Sequence, residues 1–353
     1  MPRIKVLVVD DSAFMRKIIS NILATSPDIE VMSSAKNGQE AIEKVTHLRP
    51  DVVTMDIEMP ILDGLQALGY IMSECPTRVI MLTGTESEHG DLTMTAFQYG
   101  AVDFIQKPSG NISLDMEKIR DDLINKVIAA AHVDIHKLAF IEEKLIKKKN
   151  LVIPPRTRVK KIVIIGSSTG GPRALQQVIP LLPSNLQAPV LVVQHMPAGF
   201  TKSLAERLNS QSMMRVREAV EGDIIKPGTV LIAPGDFHMT VRQQKINGEL
   251  SEVIALTKGD KVQGVRPSID VLLESAARIY KENSVGVILT GMGSDGSDGI
   301  KKLKLAGGKV IAEDESTCVV YGMPRSVIEQ NLADYILPIH KIAQNIAEIS
   351  ERI

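Results

Sequence analysis

Tryptophan is absent from this chain of 353 residues, and aromatic side chains make up only 3% of it. That scarcity excludes a surface built to stack nucleic-acid bases, which rests on aromatic platforms. Cysteine is almost as rare. Cys75 and Cys318 lie far apart in sequence and read as free thiols in a reducing compartment, not as a disulfide framework. Neither sign of charge is in excess: 41 Lys and Arg stand against 42 Asp and Glu, so nothing global draws the chain to nucleic acid or to an anionic membrane. No apolar run approaches the roughly 20 residues of a membrane helix, and no membrane insertion is expected. The N-terminus enters a strand-like run at once, without a basic stretch followed by an apolar one and a cleavage site. A secretory leader is therefore not expected, and a cytoplasmic location is.

What is present is length and apolar content, 353 residues at 44% hydrophobic, enough for two or three domains with a core each. Residues 1–125 alternate short apolar runs with amphipathic segments, with strands expected at Lys5–Val9, Glu30–Ala35, Val52–Met55, Val79–Leu82 and Val102–Ile105. A helix opens at Ser12, a good N-cap, and carries Ile18, Ile19, Ile22 and Leu23 on one face. Residues 126–160 read as a helical exit and a basic linker: eight Lys or Arg against two Glu fall between Ile141 and Lys161, around Pro154-Pro155. Residues 161–353 form a second α/β pattern, with strands at Ile162–Ile165, Val190–Gln194, Val230–Ile232, Val285–Leu289 and Lys309–Ala312. Helices are expected over 172–182 and over Val271–Tyr280, after Ser268. The fold class is α/β, two doubly wound parallel sheets joined by a linker.

In such sheets ligands bind beyond the carboxyl ends of the strands. Asp10, Asp11, Asp56, Thr83 and Lys107 all fall at such ends in the first domain. Taken singly, Asp10 and Asp11 read as helix caps and Lys107 as a surface residue. Together they bring three carboxylates, a hydroxyl and an ammonium to one edge. Asp10, Asp11 and Asp56, with a backbone carbonyl near Glu58, suit Mg²⁺, which takes hard oxygen ligands. Asp56 so placed can attack a phosphoryl donor. Lys107 would pair with the phosphoryl oxygens, Thr83 would hydrogen-bond another, and Phe104 would fill the space that Thr83 leaves. This segment resembles the receiver domain of bacterial two-component response regulators, a flavodoxin-like fold. The resemblance extends through Met59-Pro60, Asp63-Gly64, Gly100-Ala101 and Lys107-Pro108.

In the second domain, Gly166-Ser167-Ser168-Thr169-Gly170 follows a strand and precedes a helix and fits G-x-S-x-G, a turn that exposes a serine hydroxyl near a helix N-terminus. The same loop would also cradle a phosphate. It lacks the Gly-Lys-Ser/Thr ending of a P-loop and the spacing of G-x-G-x-x-G. A nucleophilic serine needs a base and an orienting acid. His195, directly after Val190–Gln194, is the first candidate base and His238 the second. His132 and His136, at i,i+4 spacing, read as a solvated helix face. Asp295 and Asp298, in the glycine-rich loop after Val285–Leu289, both qualify as the orienter. Backbone N–H groups around Thr169 and Met292 are the candidates for an oxyanion hole. The order Ser…His…Asp differs from that of α/β-hydrolases.

Gly166-Ser-Ser-Thr-Gly-Gly-Pro172, Gln194-His-Met-Pro197 with Gly199-Phe-Thr201, Ala233-Pro-Gly235 with His238-Met239, Arg266-Pro-Ser-Ile-Asp270, Thr290-Gly-Met-Gly-Ser-Asp-Gly296 and Tyr321-Gly-Met-Pro324 together resemble the chemotaxis protein-glutamate methylesterases. The resemblance covers nearly the whole chain apart from the linker. It implies a receiver domain over 1–125 and a larger, Rossmann-like methylesterase domain over 161–353. By motif it makes Ser168 the nucleophile, His195 the base, Asp295 the orienting acid and Asp56 the phosphorylated residue. Ser167 stands where a smaller residue such as Ala is expected. The implied substrate is a glutamate methyl ester on the cytoplasmic part of a chemoreceptor, with deamidation of receptor glutamine as a second activity. The implied phosphodonor is the chemotaxis histidine kinase, with Mg²⁺ for phosphorylation and no cofactor for ester hydrolysis. Two other classes stand beside this reading: a response regulator whose second half binds a nucleotide or phosphorylated ligand at Gly166–Gly171, and a DNA-binding regulator. The second lacks a basic recognition helix.

Overall fold

The computed structural model describes residues 2–84, 90–107, 112–138 and 161–352. Most of the linker, with Pro154-Pro155, lies outside the described residues, as do His89 and Pro108. The chain divides into two units, Met1–Glu142 and Glu143–Ile353.

The first unit alternates strand and helix: β1 (Ile4–Val9), α1 (Ala13–Leu23), β2 (Ile29–Ala35), α2 (Gly38–Leu48), β3 (Val52–Asp56), α3 (Gly64–Glu74), β4 (Arg78–Thr83), α4 (Gly90–Tyr99), β5 (Asp103–Gln106) and α5 (Ile112–Ala131). The strands pair in parallel in the order β2-β1-β3-β4-β5. Val6, Leu7, Val8 and Val9 are fully buried, as a sheet covered on both faces requires. The chain reverses its direction of growth at β1, so the crevice beyond β1 and β3 is the site such a topology creates. Local chemistry starts the helices. Ser12 Oγ accepts from Met15 N–H at 3.4 Å and Asn37 Oδ1 from Glu40 N–H at 2.9 Å. Asp63 and Gln66 form a capping box at α3. Such caps contribute about 1 kcal/mol each. After α5 a 3₁₀ turn, Ile135–Leu138, folds back onto the sheet. Arg78 Nε donates to Val133 O at 2.7 Å, and Leu138 is buried. His132 and His136 therefore do not share a helix face, because α5 ends at Ala131.

The second unit has seven parallel strands in the order β14-β13-β12-β6-β7-β9-β8. Its elements are β6 (Ile162–Ser167), α6 (Gly171–Val178), β7 (Val190–Gln194), α7 (Phe200–Gln211), β8 (Arg215–Glu218), β9 (Thr229–Ile232), β10 (His238–Ile246), β11 (Glu249–Thr257), α8 (Ile269–Tyr280), β12 (Ser284–Ile288), α9 (Ser297–Leu305), β13 (Lys309–Glu313), α10 (Met323–Glu329), β14 (Tyr335–Leu337) and α11 (Ile339–Arg352). One face of the sheet packs Ile162, Ile164, Leu191 and Val193 against α8, α9, α10 and the β10–β11 hairpin. Both sheets are thus parallel with helices around them, as the pattern of apolar runs predicts. The expected helix over 172–182 is shorter. It ends at Val178 and gives way to a 3₁₀ turn over Ile179–Leu181, because Pro180 has no N–H to continue it.

Candidate functional site

The edge beyond β1, β3, β4 and β5 gathers the first set of polar residues. Asp10 follows β1 and is fully buried, Asp56 ends β3 at 5% exposure, and Asp11 is exposed. One carboxylate oxygen from each lies within 4.8 Å of the others. Lys107, after β5, sends Nζ to Asp10 Oδ2 and Asp56 Oδ2, each at 2.7 Å. Arg16 of α1 fixes the turn by donating to Asp10 O at 2.7 Å and Asp11 O at 2.9 Å. Burial pushes the Asp56 carboxyl up to about 6, against the hydrogen bond and charge of Lys107 and with the charges of Asp10 and Asp11. Burial would lower the Lys107 ammonium, but its bonds to Asp10 and Asp56 carry it above its ordinary value. The acidic cluster suits a small divalent cation: oxygens of the three carboxylates converge, and Asp11 and Asp56 line a cleft of about 340 Å³ together with Glu58, Gly84 and Lys107. Thr83 ends β4 and is buried, its Oγ1 donating to Gly84 O at 3.3 Å. Phe104 lies inside, edge-on to Phe97 with ring centroids 6.1 Å apart.

The second set lies at the carboxyl edge of the larger sheet. Ser167 pairs with Gln194 across β6 and β7, so Ser168 and His195 are each the first residue past adjacent strands, about 4.8 Å apart in the ladder direction. The turn after β6 is tight: Gly171 N–H donates to Ser168 O at 2.7 Å, and Ser168 N–H donates to Thr290 O at 3.1 Å. Ser168 is half-buried. His195 Nε2 meets Asp295 Oδ2 at 2.8 Å. A carboxylate only accepts, so Nε2 carries the proton and Nδ1 is the basic nitrogen. Asp298 is exposed on α9 and is not the partner of His195. Thr169 is buried beside Ser168, and Met292 is half-buried in the loop after β12. Thr290 Oγ1 ties the two segments by donating to Thr169 O at 3.0 Å.

Asp295 is held from α8. Ser268 Oγ donates to its Oδ1 at 2.8 Å, Ile269 N–H to its Oδ2 at 2.7 Å and Asp270 N–H to its Oδ1 at 3.2 Å. The exchange is mutual. Asp270 Oδ1, in the first turn of α8, accepts from Gly296 N–H at 3.0 Å and Gly299 N–H at 2.6 Å at the start of α9. Each helix thus caps the other, and the two carboxylates diverge in acidity. Burial would raise Asp295, but the hydrogen bond and charge of His195, with Ile269 N–H and Ser268 O–H, hold it below its usual range. Burial pushes Asp270 up to about 6, with the charges of Asp295 and Asp298 adding to the rise and the Gly299 N–H opposing it.

His238, the second candidate base, is buried, and both ring nitrogens are taken. Nδ1 accepts from Ser268 N–H at 3.2 Å, and Nε2 donates to Asp260 O at 2.9 Å. It braces the segment that holds Asp295. Sequence reasoning gave Ser268, Asp270 and Gln194 no role, although each sits inside a motif it singled out. Hydrogen bonding across 26 or 27 positions, as between Ser268 or Ile269 and Asp295, leaves no local trace.

Known proteins match both halves. The CheB methylesterase family matches residues 163–346, and the response regulator receiver domain family matches residues 6–118. A Thermotoga maritima protein named protein-glutamate methylesterase/protein-glutamine glutaminase is 51% identical over 346 residues, 98% of each chain. One of the same name from Halalkalibacterium halodurans is 47% identical over 99% of each chain. Among solved structures, the Thermotoga maritima CheB methylesterase catalytic domain is 56% identical, covers 54% of this chain and 98% of that one, and aligns with a TM-score of 0.51. A likeness that runs nearly end to end, with a receiver match ahead of an esterase match, means that the chain belongs to the CheB methylesterase family.

Proposed function

We propose that this chain is a phosphorylation-controlled protein-glutamate methylesterase, acting on glutamate methyl esters of chemoreceptor cytoplasmic domains and deamidating receptor glutamines. The observation that carries the reading is the 2.8 Å bond from His195 to Asp295, beside a serine on the neighbouring strand end. Ser168 Oγ attacks the ester carbonyl carbon and passes its proton to His195 Nδ1. The imidazolium so formed is stabilised by Asp295 through Nε2–H. The N–H groups of Thr169 and Met292 receive the oxyanion. The tetrahedral intermediate collapses, the ester C–O bond breaks, and methanol leaves with the proton returned by His195. Water, deprotonated by the same histidine, then attacks the glutamyl-serine ester, freeing glutamate and Ser168. With an amide substrate, ammonia takes the place of methanol.

In the receiver, Asp56 is the phosphoacceptor, and Asp10, Asp11, Asp56 and a carbonyl at Glu58 are the groups that would hold Mg²⁺. The ion would neutralise charge on the phosphoryl oxygens. Lys107, already within reach of Asp56 at 2.7 Å, pairs with the phosphoryl group. Thr83 turns to it, and Phe104 takes up the space released. The phosphodonor is a chemotaxis histidine kinase, and the setting is the cytoplasm. No described helix is long and apolar enough to cross a membrane.

The test is methanol release from methylated receptor helices. Ser168→Ala should abolish it. Turnover that survives this change would overturn the nucleophile and favour a ligand-binding role for the Gly166–Gly171 loop.

A further inference from the structure

Gln194 touches neither the substrate position nor the reacting atoms in the reaction above, yet it joins the nucleophile's turn to the base's. It closes β7 and is 2% exposed. Its Oε1 accepts from Ser167 Oγ at 2.7 Å, and its Nε2 donates to Ser168 O at 2.9 Å and to His195 O at 3.2 Å. Both donors and the acceptor of the carboxamide are engaged. The partners fix which way it faces, because a flipped amide would set its oxygen against two carbonyl oxygens. A backbone bond, His195 N–H to Ser167 O at 3.1 Å, closes the same ring from the other side. Gly171 leaves room for it: a Cβ at that position would lie 1.9 Å from Gln194 Oε1.

Resting on the reading of Ser168 and His195 given above, we propose that Gln194 is a positioning residue for the esterase reaction, setting the spacing between the nucleophile and the base. Ser168 and His195 stand one residue past their strands, where one backbone bond holds each, Ser168 N–H to Thr290 O and His195 N–H to Ser167 O, and a gap separates their carbonyls. The carboxamide spans that gap and binds the carbonyl of each. A shift of about 1 Å between reacting groups can cost about a hundredfold in rate. The bonds reach the enzyme's own backbone and the Ser167 hydroxyl and none reaches the substrate position, so their loss falls on kcat and leaves KM alone. Ser167, where the family resemblance predicts a smaller residue, supplies the third bond.

The experiment measures kcat, KM and Tm of the full chain carrying Gln194→Met, Gln194→Glu or Ser167→Ala, beside Ser168→Ala. Met keeps the length of the side chain and removes its hydrogen bonds. Its kcat is expected to fall between about tenfold and a hundredfold, with KM within about twofold of the parent. A buried Glu facing two carbonyls retains its proton and offers one O–H donor, so its kcat falls between parent and Met. Ser167→Ala, which keeps both donations, should lower kcat by less than about threefold. A folded Gln194→Met chain with parental kcat overturns the proposal, as does a loss carried by KM. Where the Met chain fails to fold, Gln194→Glu decides: parental kcat overturns the proposal, and an intermediate kcat at unchanged KM supports it. Activity that survives Ser168→Ala overturns the site reading and this proposal together. Activity lost in Ser168→Ala but kept in Gln194→Met overturns only the proposal.

Discussion

Asp270 and Asp295 are two carboxylates in one buried network, yet they titrate in opposite directions. The folded Asp270 is raised to about 6, above the roughly 3.9 of an unfolded aspartate. Its ionised form is therefore disfavoured by folding. That cost is present above pH 6 and fades as pH falls toward about 4. Asp270→Asn keeps an acceptor for Gly296 and Gly299 and removes the charge. It should stabilise the chain by about 1–3 kcal/mol at pH 8, with the gain vanishing near pH 4. Asp270→Ala should destabilise at either pH, by about 1–3 kcal/mol, because two buried N–H groups lose their acceptor. Thermal melts at pH 4 and 8 separate the cases, and a gain of equal size at both would refute the assignment of charge. Asp295 has the opposite sign. Its contribution is present above the unfolded value and lost as pH falls through its lowered folded value. Asp295→Asn should reduce methanol release by about a thousandfold or more, since the amide no longer selects the Nε2–H tautomer of His195.

At the scale of elements, the strands of both sheet centres were legible because they are uninterrupted apolar runs with turn residues between them. Val190–Gln194 coincides with β7 residue for residue, and the other central strands differ by one or two positions at an end. What escaped lies at the margins. β8 reads Arg-Val-Arg-Glu, with only Val216 buried, and β14 has three residues. Edge strands are short and charged, which removes their apolar signature. The β10–β11 hairpin did leave a signal: Asn247 and Gly248 both have positive φ, 51° and 85°, and Asn-Gly is the preferred pair for such a two-residue turn. Of the candidate site, the residues proposed to face the reaction stand out through their motifs, and those that hold them in place do not. The choice between Asp295 and Asp298 rests on geometry that spacing does not encode. The 3₁₀ turn after α5 makes a prediction of its own. Arg78→Ala removes the donor to Val133 O, and amides over Val133–Leu138 should exchange about tenfold faster, with those of β1 unchanged. Uniform acceleration across the first unit would show that Arg78 supports the whole fold instead.

At the scale of the whole molecule, a phosphate-accepting unit precedes a hydrolytic one. Phosphodonor and Mg²⁺ together should raise methanol release severalfold, and chelation should remove that rise while leaving basal release intact. Basal release that also falls on chelation would place a metal in the hydrolytic half. Deleting residues 1–138 should raise basal release if the receiver restrains the esterase, and unchanged release would exclude such restraint. The order of the larger sheet has a consequence for how the protein is made. β6 is central, and it pairs with β12 more than 110 positions later. Ser168 and His195 are thus synthesised long before Asp295 and the α8–α9 pair that secures it. A ribosome adding about 5–20 residues per second would finish the receiver some 10 to 30 s before α9 emerges. A receiver that restrains the esterase would then be in place before there is an enzyme to restrain. Ribosome-bound chains halted before Asp295 should be inert, and those released at full length should acquire activity already under control.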